Sequence, residues 1–531
     1  MIRVSNIQAP LSVKESDFKN LIAKQTGIQN ILSCKIAKRS VDARKKNNIR
    51  FLFSFDVTVQ GNEAEVLKKS KYPYLSLETP FFLPSVPKKS FARRPVVCGT
   101  GPAGMAAALV LAQAGANPIV LERGKMLQDR QKDVRSFWAG GALNPQDNVQ
   151  FGEGGAGAFS DGKLNSGIKK DVYVRSFLEN FVDCGAPEEI LYVAKPHVGT
   201  DNLAVVVQRW REKVVALGGE YRFETTLDGL KIKNGRLTGV TVCLADGRKD
   251  EILTDNLVLA IGHSARDTFE MLKRTGIFME RKAFAAGVRI EHRQSLINKI
   301  QYGREKPPAP LGAADYKLAI HLPDGRTVYS FCMCPGGCVV GAASEENGVV
   351  TNGMSFYARD LDNANAAFLV NITPSDFETE DVLAGVAFQR RLEQAAFLAG
   401  NKTYGAPVQR VEDFLNNRET KTFGEVSPSY KPAPVPADLR ACLPEFMLAA
   451  LKEGLIQADR KMRGYLCPDA VLTAVESRSS SPVRILRQAD GFESVSCRGL
   501  YPCGEGAGYA GGIVSAGADG WKCAEKILQK S

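Results

Sequence analysis

Residues 94 to 124, RPVVCGTGPAGMAAALVLAQAGANPIVLERG, constrain the fold more than any other stretch of this chain. The apolar run Pro95 to Cys98 reads as a buried parallel strand, and Gly99, Gly101 and Gly104 follow it at G-x-G-x-x-G spacing. An Ala-rich helix is expected from about Pro102 to Ala114, closed by Gly115, and a second apolar run, Asn117 to Leu121, ends in Glu122. In this order each part has a physical role. Gly99 permits the tight strand-to-helix turn, Gly101 lets the backbone approach a pyrophosphate, and Gly104 lets the helix pack on the strand. The helix start offers unpaired N–H groups and a partial positive charge to phosphates. Glu122 is placed to accept hydrogen bonds from the ribose hydroxyls of an adenosine.

A chain of 531 residues exceeds one typical core, so two or three domains are expected. No apolar run reaches the length of a membrane span; the stretch 105–121 is interrupted by Gly115 and Pro118. The first residues, MIRVSNIQAP, have no signal-peptide character, which makes the cytoplasm the expected compartment and a membrane partner unexpected. The twelve cysteines form no C-x-x-C, and with four histidines (His197, His263, His292, His321) no zinc pattern emerges, so no metal is expected. The densest set is Cys332, Cys334 and Cys338, which fits small buried residues in a glycine turn better than a metal or redox site. Charge is placed unevenly. The first 95 residues carry 18 Lys+Arg against 7 Asp+Glu, which accounts for the whole excess of +11.

Residues 1–79 read as a separate small α+β unit of ferredoxin-like type. Glu15 to Gln25 and Asn62 to Ser70 are helix-like, Ile31 to Lys38 is extended, and Phe51, Phe53, Phe55, Val57 and Val59 alternate as in a half-buried strand. The connection between the two strands is basic, with Lys38, Arg39, Arg44, Lys45, Lys46 and Arg50. Such a tip can meet an anionic partner such as RNA. With no aromatic interleaved for stacking, a solvated hairpin end is the favoured reading, and nucleic acid is not excluded. Pro80, Pro84, Pro87 and Pro95 make 80–95 a stiff basic linker. The dinucleotide fold is expected over 96–284, an inserted α+β substrate or cap domain over 285–460, and the rest of the first fold over 461–531.

Within the first part, FGEGGAGAFSDGKLN (151–165) repeats the glycine spacing at Gly152, Gly154 and Gly157. No apolar strand precedes it and no long helix follows, so a glycine loop near the cofactor is expected, including Gly155, rather than a second dinucleotide fold. From Glu220 to Ile261 the pattern changes to strands and turns: a β-meander with turns at Asn234-Gly235 and Asp246-Gly247 leads into the apolar run Asn256 to Ile261, a return strand followed by Gly262 and His263. His263 reads as a structural histidine. Near the end, Leu500 to Cys503 is a short strand followed by Gly504-Glu505, and Gly511-Gly512 opens a helix. That places a second acid and a second helix start at the same edge of the sheet.

These residues resemble those of the two-dinucleotide-binding-domain flavoproteins. GEGGAGAFSDGKLN, LAIGHSARDTF, ESRSSSPVRI and LYPCGEGAGYAGGIVSA resemble, more narrowly and over nearly the full length, the bacterial "FAD-dependent dehydrogenase" family of uncharacterised proteins. The resemblance implies a Rossmann-like FAD-binding domain and FAD as cofactor. By position it implies that Gly99, Gly101, Pro102, Ala103 and Gly104 meet the pyrophosphate, and that Glu122 and Arg123 lie at the adenosine ribose. Gly504-Glu505 would meet the ribitol, and Gly511, Gly512 and Ile513 would bring N–H groups to the N1/O2 edge of the flavin. Glu505 stands where Asp is commoner in the wider superfamily.

FAD carries hydride or electron transfer, and the protein supplies orientation and charge. Arg478 and Arg484 in ESRSSSPVR, and His292 in GVRIEH, are the catalytic candidates; Arg289 on the same strand as His292 could equally face the flavin. Cys503 reads as a small strand residue. The expected function is an FAD-dependent oxidoreductase acting on a small molecule, with NAD(P)H as a transient donor or a protein as electron donor. Two alternatives are an FAD enzyme docking RNA or another macromolecule through the basic unit, and a non-catalytic flavin-binding scaffold or redox sensor.

Overall fold

A computed structural model describes residues 1–79, 81–165 and 171–530; Pro80, at the head of the expected linker, lies outside them. Val96–Cys98 is the central strand of a five-stranded sheet in the order Leu500–Pro502, Leu257–Leu259, Val96–Cys98, Ile119–Leu121, Glu220–Arg222. All four pairings are parallel. Every segment but Glu220–Arg222 is short and wholly buried, because both sheet faces are covered. Val97, Val120, Val258 and Tyr501 pack against the helices Pro102–Gln113, Gly199–Ala216 and Ile513–Gln529. Their neighbours Val96, Ile119, Leu257 and Leu500 face the β-meander, which runs through Thr225–Lys233, Arg236–Leu244 and Lys249–Leu253.

The helix Pro102–Gln113 is buried from Ala103 to Ala112, which explains its apolar sequence on every side. Small residues set its contacts: a Cβ on Gly520 would lie 2.0 Å from the Ala103 carbonyl oxygen, so Gly520 lets the C-terminal helix cross it at close range. Because the strands are parallel, Gly99, Glu122, Ala260 and Cys503 all emerge at one edge of the sheet.

A second body is built on a seven-stranded sheet. Its order is Ala319–His321, Thr327–Cys334, Asn363–Ile372, Phe284–Arg293, Val471–Glu476, Ala406–Arg410, Pro434–Pro436. All pairings are antiparallel except the last. The strand Val471–Glu476 carries this sheet past residue 460, where the inserted part was expected to end. The chain enters and leaves through an antiparallel ribbon, Met279–Arg281 against Val483–Ile485. Ala286, Val288 and Ile290 on the central strand point into a core closed by the helices Ala384–Ala399 and Glu445–Lys461.

The N-terminal unit has the order Ile31–Asp42, Arg50–Val59, Ile2–Ala9, Leu75–Leu77, all antiparallel, with two helices on one side. This is the ferredoxin-like arrangement of two interleaved βαβ units. Its long hairpin is pinned to the first body. Arg39 accepts and donates backbone hydrogen bonds with Ala194 and Tyr192 (2.8 and 2.7 Å), and its guanidinium pairs with Glu189 at 2.9 Å.

Candidate active site

The carboxyl edge of the parallel sheet and the seven-stranded sheet enclose a cavity of about 840 Å³. Gly99, Gly101, Pro102, Ala103, Glu122, Arg123, Gly155, Gly157, Gly262, Glu505, Gly511, Gly512 and Ile513 all line it. The second body contributes Ser330, Phe331, Cys332, Asn352 and Glu476 to the opposite wall. Three predicted glycines stay behind the surface and act through packing. A Cβ on Gly104 would lie 1.8 Å from the Gly99 carbonyl oxygen, one on Gly154 3.1 Å from Val207, and one on Gly504 2.7 Å from Ala103.

The two glycine clusters meet. A Cβ on Gly155 would come within 3.0 Å of the Gly101 Cα, and Gly154 N–H donates to the Thr100 carbonyl at 3.1 Å. Glu122 ties them together: Oε2 accepts from Thr100 N–H (3.0 Å) and the Thr100 hydroxyl, and Oε1 from Gly124 and Gly152 N–H (3.1 and 3.0 Å). The acid expected at the ribose therefore already holds four protein donors. Arg123 stacks over Phe151 at 4.3 Å and donates to Asp267 (2.9 Å) and Thr268 (3.1 Å).

Sequence reasoning missed the residue that shapes the second loop. Arg130, on the helix Leu127–Trp138, is fully buried and donates to the carbonyls of Asn148, Val149, Gly152, Glu153 and Gly155 at 2.7–3.2 Å. It satisfies a run of backbone acceptors that an irregular buried loop would otherwise leave unpaired. Nothing in the spacing of that polar helix marks it.

Glu505 differs from the other acids. Its carboxyl faces the cavity without a hydrogen-bond partner among the described residues. Burial pushes it up to about 7, against the pull of the Lys282 ammonium. At Gly511 and Gly512 a Cβ would meet nothing within 4 Å, so the helix Ile513–Gln529 presents its first turn to open cavity space. A narrow glycine turn, an open glycine pair before a helix and an unpartnered acid suit a dinucleotide carrying a polyhydroxyl chain.

The catalytic candidates separate. Arg478 lines the cavity, but its guanidinium is committed to Glu393 at 2.8 and 3.0 Å and to the Ser344 hydroxyl. Arg484 is outside the cavity lining, on the ribbon, paired with Glu280 at 3.2 Å. His292 shares the core-facing side of its strand with Val288 and Ile290, where its Nε2 lies 2.8 Å from the Tyr465 carbonyl. Arg289, on the other face, is fully buried in a two-pronged pair with Glu476 (2.9 Å each). His263 does line the cavity, and its Nε2 donates to the Arg478 carbonyl at 2.6 Å. Burial holds its pKa down at about 4, so it stays neutral.

Two cysteine sets were also open. The Cys503 thiol, in a group with Asp519 and Cys523, is pushed well up by burial; Asp519 is already taken by Arg487 (2.7 and 3.0 Å) and Gly504 N–H (2.8 Å). Cys332 sits in the cavity wall at a bulge, with φ 41°. A hydrogen bond from the Cys334 thiol, with the Lys163 ammonium and Arg289 guanidinium nearby, lowers its pKa against the effect of burial.

Residues 94–156 match a family model described as an FAD binding domain, and residues 283–479 match one described as FAD-dependent protein, C-terminal domain-like. Residues 1–58 match a domain of unknown function. A protein of Clostridium beijerinckii, entitled "Uncharacterized protein", is 48% identical over 534 residues, covering 100% of this chain and 99% of its own. The chain belongs to this family of FAD-dependent proteins. Its cofactor is FAD.

Among solved structures, a 3-ketosteroid-delta4-(5alpha)-dehydrogenase from Rhodococcus jostii RHA1 is 13% identical, with 82% of this chain and 97% of that one covered and a TM-score of 0.36. A glycine oxidase from Bacillus cereus is 10% identical, with 82% and 95% covered and a TM-score of 0.34. Likenesses that loose transfer no role to any residue of this family member. Among the described residues no helix is long and apolar enough to cross a membrane.

Proposed function

We propose that the protein oxidises or reduces a small molecule held in the same cavity as FAD, between the glycine turns and the seven-stranded sheet. The observation that carries this reading is that one continuous cavity has the dinucleotide-type turns on one wall and a polar wall from the second body, with Ser330, Asn352 and Glu476, on the other. Bound FAD supplies hydride or electron transfer. The chain's own residues position and polarise. The N–H groups that start the Pro102–Gln113 helix favour phosphate charge, and those after Gly512 favour negative charge at their end of the cavity. Glu505 offers an acceptor to a ribitol hydroxyl. Lys163 is held at the cavity wall by Asp161 (2.7 Å) and the Met333 carbonyl, where its charge can orient an electron-rich substrate group. Asp161 stays ionised beside it: burial pushes its pKa up, but Lys163 and Arg359 outweigh that and hold it at about 2.

The test is the visible spectrum of the purified full-length protein, followed by anaerobic addition of NADPH and of NADH. Bleaching of the flavin bands by either nicotinamide identifies the donor and directs the search to acceptors. Persistence with both, followed by bleaching with fractionated metabolites, identifies a substrate-driven dehydrogenase. A colourless protein that cannot be reconstituted with FAD, or a flavin that only chemical reductant bleaches, overturns the proposal.

A further inference from the structure

Beside the main cavity lies a second concavity of about 500 Å³. Lys46 reaches it from the basic hairpin of the N-terminal unit, Gln301 from the helix Gln294–Tyr302, and Lys317 from the approach to the edge strand Ala319–His321. Lys461 and Arg463 reach it from the end of the helix Glu445–Lys461. Four cationic side chains from three parts of the chain thus line one hollow, and no carboxylate lines it. None of the four has an ion-pair partner within 4.0 Å among the described residues. The nearby acids are engaged elsewhere: Asp315 with Lys195 at 2.7 Å, Glu305 with Lys299 at 3.1 Å, and Asp459 with the N–H groups of Gly464 and Leu466.

Like charges gathered in one concave site repel unless an anion shares it, and such a site concentrates anions. Tyr316 and Lys317 belong to the walls of both hollows, so the two adjoin, and a ligand long enough to pass Lys317 would touch both. We infer that the basic hollow is a subsite for the phosphate-bearing end of the ligand whose redox-active end enters the main cavity. The inference rests on the oxidoreductase reading above for that second end, but not for phosphate binding itself. The ligand chemistry is a phosphate or pyrophosphate group. It can belong to a nicotinamide dinucleotide donor or to a phosphorylated substrate.

The experiment is calorimetric titration of FAD-loaded full-length protein with inorganic pyrophosphate, repeated on Lys46→Glu and on Arg463→Glu. Both positions are exposed, and the melting temperature and flavin content of each variant confirm folding. One saturable site is expected, weakened about tenfold or more by either charge reversal. If pyrophosphate also competes with flavin reduction by NADPH, and both variants lose that competition, the phosphate is the donor's. If the variants lose pyrophosphate yet leave NADPH reduction unchanged, it is a substrate's. Pyrophosphate that does not bind, or binds equally to all three proteins, overturns the inference. So does a short RNA that binds through Lys46 and is not displaced by pyrophosphate. Because binding is read as heat, a flavin that no donor reduces would leave this result standing.

Discussion

Glu505 is the side chain on which cofactor binding can be read most directly, because its carboxyl enters the cavity with no protein partner and is pushed up to about 7 by burial. In FAD-free protein the folded state therefore keeps a proton that the unfolded chain releases near 4.5. The group's contribution to stability falls as pH rises from about 4.5 to about 7 and is level above that. A ribitol hydroxyl donating to the carboxylate favours its charged form, so FAD affinity should rise with pH through about 7 and stop rising in Glu505→Gln. Measuring FAD dissociation from pH 5.5 to 8.5 in both proteins checks this. An affinity that falls with pH would instead mean that a protonated Glu505 donates to the cofactor. This residue was legible in the sequence, since Gly504-Glu505 follows a short strand in a recognisable pattern. Arg130 and Glu393 were not. Their partners are backbone carbonyls of a distant loop and arginines of other elements, and neither spacing nor composition records such pairings.

At the scale of elements, strand, turn and helix were legible wherever the apolar period was unmixed. Val96–Cys98, the meander and the N-terminal strands Ile31–Asp42 and Arg50–Val59 appear where alternation or an apolar run predicted them. The helix Leu127–Trp138 escaped because its buried face is made partly by Arg130, and the pairing order of the seven-stranded sheet escaped because it depends on contacts far apart in sequence. The two helix starts at the cavity make different predictions under the same substitution. A Cβ on Gly104 would lie 1.8 Å from backbone, so Gly104→Ala should destabilise the FAD-free protein as well as lose cofactor. A Cβ on Gly511 meets nothing, so Gly511→Ala should change FAD-free stability by less than about 0.5 kcal/mol, the usual range for an unhindered surface site. On the reading that this helix start meets the flavin, the new methyl should nevertheless weaken FAD about tenfold, equivalent to about 1.4 kcal/mol. Thermal melts without FAD and equilibrium titration with FAD separate the two effects. Unchanged FAD affinity in Gly511→Ala would remove this helix start from the cofactor site.

At the scale of the molecule, the cavity exists only while the two bodies hold their relative position, and one buried charge cluster spans them. Glu393, from the helix Ala384–Ala399 of the second body, receives two hydrogen bonds from Arg266 of the first body (2.7 and 2.9 Å). It receives two more from Arg478 (2.8 and 3.0 Å) and one from the Ser477 hydroxyl (2.6 Å). Both guanidinium groups and the carboxylate are almost wholly buried, with Glu345 as the remaining acid. Burial alone would push Glu393 up, but the two arginines outweigh it and hold the carboxyl well below the usual carboxylate range. Glu393→Gln leaves two buried cations sharing one partly exposed acid, and removing one member of such a cluster costs about 3–5 kcal/mol. The urea midpoint should drop accordingly, and bound FAD should be released in the same transition, because Arg478 and its carbonyl partner His263 both line the cavity. The pH dependence has a definite sign. A carboxyl whose folded pKa is depressed contributes fully above its ordinary 4.5 and progressively less below it, so wild type and Glu393→Gln should converge in stability as pH falls below about 4.5. FAD retained by the variant at urea concentrations that release it from wild type would show that the cluster does not hold the two bodies together.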